Sequence, residues 1–141
     1  MTSEILTEKQ AAAYSPNVLA FYGDCVYEEF VRRHIVLEHQ TNAGRLHKLA
    51  VERVRASYQS AAVAVIEPLL TEREADILRR GRNAGGISVP KSAKPSDYRR
   101  ATALEALFGY LSLTGQNERL NELFDAICAS LSLDSDAVEE K

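Results

Sequence analysis

The chain has 141 residues, 45% hydrophobic and 26% charged, the composition of a single globular domain that can bury a core without disulfides or a structural metal. No apolar run approaches the roughly 20 residues needed to cross a bilayer, and the opening MTSEILTEKQ lacks the basic flank and apolar stretch of a signal peptide; a cytoplasmic protein with no membrane association is expected. The net charge of -3 conceals an asymmetry, because residues 79–100 carry seven basic residues and one acid, +6 in all, which leaves -9 for the rest. Such a separation fits either one face kept for a polyanion or a solvated charged loop.

In chain order, residues 1–14 contain a capping-box spacing at TEKQ from Thr7 but no apolar stripe, and read as a peripheral N-terminal extension. Ser15 followed by Pro16 starts a helix to about Val36, with Ser as N-cap and Pro in the first turn. Over 42–56, Leu46, Leu49, Ala50 and Val54 recur at a near-helical period among basic residues, and 61–66 is apolar up to Pro68. Thr71 then caps a helix with acids in its first turn and Arg79, Arg80 and Arg82 in its last, the order the helix dipole favours.

Residues 85–95 hold two glycines and two prolines among serine and lysine, which predicts a long loop. Ser96 is placed as the cap of a helix through Leu113, Gly115 breaks the chain, a last helix covers 117–131, and an acidic tail occupies 133–141. No alternating run favours a strand, so the expected class is all-α. Cys25 and Cys128 show no paired spacing and read as small buried hydrophobes. His34, His39 and His47 form no zinc motif.

Two twelve-residue stretches each carry a single charge: 16–27 with Asp24, and 102–113 with Glu105. Helices so apolar are expected to be nearly surrounded by protein, where a lone carboxylate is costly unless something compensates it. A basic partner, protonation and a shared divalent cation are all possible, and residue types alone do not choose. Gly23 beside Asp24, and Gly109 four residues after Glu105, would let two helix backbones approach closely.

FYGDCVYEEFVR (21–32) resembles the signature helix of the ribonuclease III catalytic domain, and ALEALFGYLSL (103–113) resembles the second signature of that family, with Leu104 where Phe is usual. With RRGRNA (79–84) between them and about eighty residues separating the two carboxylates, the chain is similar to the Mini-III ribonucleases over 15–132. The resemblance implies an all-α catalytic domain that works as a homodimer, two active sites flanking one valley for double-stranded RNA. It implies Asp24 and Glu105 as catalytic, Mg2+-binding residues, products with 5′ phosphate and 3′ hydroxyl ends, and a role in maturing the large-subunit ribosomal RNA precursor.

The larger family members place further acids where this chain has Asn17, Ala20 and Thr102, a reduction that Mini-III members share. Double-stranded RNA is read through shape, phosphates and 2′-hydroxyls. On that basis Arg79, Arg82, Asn83, Lys91 and Lys94 are the expected RNA contacts, with Arg79 and Arg80 alternatively complementing the helix dipole and Arg99 and Arg100 alternatively pairing within a dimer. Tyr22, Tyr27 and Tyr110 are expected in the core or a dimer interface. A non-catalytic helical RNA-binding module, its carboxylates held by buried arginines, is the alternative, and a helical protein-interaction domain is a third.

Overall fold

A computed structural model describes residues 4–85 and 89–133. Among them seven α-helices follow in order: α1 (Glu8–Ala12), α2 (Pro16–Glu38), α3 (Ala43–Val54), α4 (Ala56–Ile66), a 3-10 turn (Glu67–Leu69), α5 (Glu72–Arg82), α6 (Pro95–Leu113) and α7 (Asn117–Ser130). No strand occurs among the described residues, in agreement with the all-α expectation. The end of the expected loop, at 89–95, is described; 86–88 and the acidic tail from 134 lie outside the described residues.

Local chemistry accounts for most helix ends. The Ser15 side chain accepts from the Val18 amide with Pro16 in the first turn, Asn42 caps α3 through the Arg45 amide, and Thr71 and Glu74 form a reciprocal capping box on α5. After α6 the chain reverses in a Schellman arrangement, Gln116 N–H donating to Leu111 O and Gly115 N–H to Ser112 O; Gly115 sits at φ +70, which glycine adopts without strain. Two boundaries differ from the sequence expectation. Ser96 is not a cap, because α6 already starts at Pro95, with Lys94 in the cap position making no side-chain bond. Arg55, extended at φ -68 and ψ 152, separates α3 from α4, which begins at Ala56.

Helix α6 is the axis of the fold. It packs against α2, α4, α5 and α7, and from Ala101 to Leu111 only Glu105 escapes full burial. The approach to α2 is backbone on backbone: a Cβ on Gly23 would meet Glu105 O at 1.6 Å, and one on Gly109 would meet Leu19 O at 2.2 Å. Below this crossing Tyr27 packs edge-on to Phe108 at 5.6 Å and to Phe124 at 6.3 Å between ring centroids. Its buried hydroxyl donates to Arg53 O at 2.7 Å, so the one polar atom of a wholly buried ring is satisfied.

The N-terminal segment is not peripheral. Ala11 is fully buried, Leu6 N–H donates to Leu113 O at 2.8 Å, the Tyr110 hydroxyl donates to Glu8 at 3.0 Å, and Arg80 donates to the carbonyls of Ala12 and Tyr14. The cysteine expectation also changes. Cys128 is only half-buried and Cys25 is exposed, on a face of α2 that also leaves Val18 and Phe21 exposed among the described residues.

Candidate active site

Because Gly23 brings the backbone of α2 onto α6 at Glu105, the next residue, Asp24, is delivered beside the Glu105 side chain. The two carboxylates share a cleft of about 720 Å³, walled by the α3–α4 junction on one side and by 90–102 on the other. Asp24 is exposed at its edge and Glu105 is mostly covered. The expectation that protein would surround both carboxylates therefore holds for α6 only, because α2 turns one face to solvent.

Burial and, after it, the negative charge of Asp24 push the Glu105 carboxyl up to about 8, against a smaller downward pull from the Gln59 amide. Gln59 Nε2 reaches Glu105 Oε2 at 3.5 Å. Among the described residues neither Asp24 nor Glu105 has an ion-pair partner. Of the three possible compensations, a buried arginine or lysine is thus ruled out there, leaving a retained proton or a bound cation. No cluster of three or more His, Cys, Asp or Glu suited to a metal occurs among the described residues; the site offers two adjacent hard oxygen donors, which suits a cation that keeps most of its waters.

Of the five expected RNA contacts, Lys94 alone lines this cleft. Lys91 is exposed in the turn just before it. Arg79, Arg82 and Asn83 lie at the far end of α5, where Arg79 pairs with Asp76 and Asn83 is the C-cap of α5. Arg80 is a staple for the N-terminal segment rather than a dipole partner alone. Arg99 is exposed, while Arg100 donates to Ser60 Oγ at 3.4 Å within the chain.

Three cleft residues are not evident from the sequence: Arg55, Gln59 and Asp97. Arg55 is hidden among the basic residues of an unbroken helix pattern. Gln59, the amide in the apolar run YQSAAVAVI, carries the same signal as the lone carboxylates. Asp97 lies two helical turns before Glu105 on one face of α6, a spacing visible once the helix start is moved to Pro95.

A model of the ribonuclease III domain matches residues 17–116. The chain belongs to the ribonuclease III family. Within it, this ribonuclease III domain is 46% identical over 111 residues to the Mini-ribonuclease 3 of Symbiobacterium thermophilum, covering 79% of this chain and 85% of that one. It is 43% identical to the Mini-ribonuclease 3 of a Thermoanaerobacter species, with 87% of each covered. A crystal structure of a Fusobacterium nucleatum protein superposes with a TM-score of 0.76 at 30% identity, over 84% of this chain and 94% of that one. These likenesses bear out both the Mini-III resemblance and the helical ribonuclease III fold. Among the described residues no helix is long and apolar enough to cross a membrane.

Proposed function

We propose that this ribonuclease III family member is a cytoplasmic Mg2+-dependent endoribonuclease that cuts double-stranded RNA as a homodimer, with 15–132 as its catalytic domain and the large-subunit ribosomal RNA precursor as its natural substrate. The observation that carries the reading is the pair Asp24 and Glu105, adjacent in one cleft and without a basic partner among the described residues. Two like-charged carboxylates left side by side are disfavoured until a cation joins them. Their oxygen chemistry fits Mg2+, which binds through one or two carboxylates and otherwise through water and substrate oxygens.

When bound, Mg2+ supplies an activated water and charge relief on the phosphate. The protein's own part is to present both carboxylates ionised. Glu105 and Asp24 would hold the cation through their carboxylates, Glu105 in its ionised form, and the α2–α6 crossing holds Asp24 in register with Glu105. Lys94 and Arg55 stand on opposite walls of the cleft, where they neutralise the phosphates flanking the cut. Arg79, Arg82, Asn83 and Lys91 extend the contact along the duplex. The two-strand cut requires two such sites, and the exposed face of α2 with Phe21 is the surface by which the second copy docks.

The test is cleavage of a long RNA duplex by purified protein with Mg2+, beside Asp24→Asn and Glu105→Gln. Each variant should lose at least about 100-fold in rate while remaining folded. Wild-type protein that binds the duplex yet leaves it intact would instead make the domain a binding module. The substrate assignment is checked by comparing ribosomal RNA precursor ends in cells with and without the gene.

A further inference from the structure

Gln59 is 3% exposed and lines the cleft that holds both carboxylates. Its place follows from the chain break at Arg55. Extended backbone there stops α3 at Val54, whose carbonyl, freed from helical pairing, accepts from Gln59 Nε2 at 2.8 Å. The same nitrogen is 3.5 Å from Glu105 Oε2. Both neighbours of this atom are acceptors, which sets the amide orientation. The other amide atom, Oε1, is buried with no hydrogen-bond partner among the described residues, a costly arrangement that an apolar side chain of equal length would avoid. Satisfying its own polar atoms is therefore not what the amide is placed to do.

We infer that Gln59 is the positioning residue for Glu105, tethering its carboxylate to the α3–α4 junction through a neutral donor so that its charge stays available to a cation shared with Asp24. An arginine or lysine at this position would also hold the carboxylate, but it would cancel the charge and compete with the cation. An amide restrains the group and leaves the charge intact. The inference rests on the proposed reading of Asp24 and Glu105 as a cation pair.

Two variants, Gln59→Met and Gln59→Lys, test it through Mg2+ titration of duplex cleavage and through the rise in melting temperature that Ca2+ gives the RNA-free protein. Loss of an orienting partner should raise the Mg2+ concentration for half-maximal cleavage about ten- to a hundredfold in Gln59→Met, with a smaller Ca2+ shift. Gln59→Lys should bind the cation more weakly still although its cation-free form melts higher than wild type, an opposition that a purely structural role would not produce. Values within twofold of wild type for either folded variant would overturn the inference. A wild-type protein with no Ca2+ shift and no Mg2+ requirement would instead overturn the cation reading beneath it.

Discussion

Gly23 lies so close to Glu105 that a methyl group on it would sit 1.6 Å from the Glu105 carbonyl oxygen. The obstacle is backbone in the middle of a buried helix, so no rotamer change relieves it. Gly109 meets Leu19 O in the same way from the other helix, at 2.2 Å. This backbone contact sets the distance between α2 and α6, and with it the separation of Asp24 and Glu105.

Gly23→Ala should therefore destabilise the domain by more than about 4 kcal/mol, in the range of severe overpacking, and abolish soluble folded protein or lower its denaturant midpoint sharply. Gly85→Ala is the control. Among the described residues a Cβ there meets nothing within 4 Å, so its stability should stay within about 0.5 kcal/mol of wild type. Equal midpoints for the two variants would contradict the close crossing.

The raised Glu105 carboxyl makes stability without cation depend on pH. Its folded value of about 8 lies above the ordinary 4.5, so the folded state holds this proton more tightly than the unfolded chain does. The resulting penalty is absent below about pH 4.5, grows as pH rises through that window, and is complete above about 8. Glu105→Gln should accordingly stabilise the cation-free protein little at pH 5 and by an amount on the order of 4 kcal/mol at pH 8, read as a clearly higher melting temperature at the second pH only. Parallel melting curves for the two proteins across that range would show that Glu105 titrates normally.

Phe21 is 84% exposed and Val18 49%, on one face of α2 with Tyr22 and Cys25. An apolar stripe of this kind on so small a domain is what the proposed dimer would bury. Wild-type protein should sediment as a dimer at micromolar concentration, and Phe21→Arg should give a folded monomer with unchanged far-ultraviolet dichroism. A monomeric wild-type protein would remove the dimer from the proposed function.

Lys91, Lys94 and Arg55 are exposed, and no ion pair holds them among the described residues. Replacing Lys94 or Arg55 with alanine should weaken duplex binding and reduce the slope of log affinity against log salt by about 1 for each phosphate no longer neutralised. Melting temperature should hardly move, since exposed charges contribute little to stability. Lys91→Ala should act in the same direction but change cleavage rate less, because its side chain stands outside the cleft. An unaltered salt slope in the Lys94 and Arg55 variants would show that RNA does not pass over this rim.

The helices are legible from the chain itself wherever their signals are local. Ser15 with Pro16, Asn42, Thr71 with Glu74, and Gly115 each act within a few residues, so their effect survives any change in what packs around them. The two lone carboxylates and their neighbouring glycines are legible for a related reason: an apolar helix interior makes any exception conspicuous. What those exceptions meet is decided by the tertiary structure. Asp24 ends exposed because α2 leaves one face open among the described residues, Cys25 shares that face, and the N-terminal segment is drawn in by Tyr110 and Arg80, about 100 and 70 residues along the chain. Arg55 and Gln59 enter the cleft only because the chain turns at a residue that is neither glycine nor proline. Hydrophobic periodicity records which side of one helix avoids water, but the partner that covers that side, and the polar groups it brings along, depend on how separate helices cross.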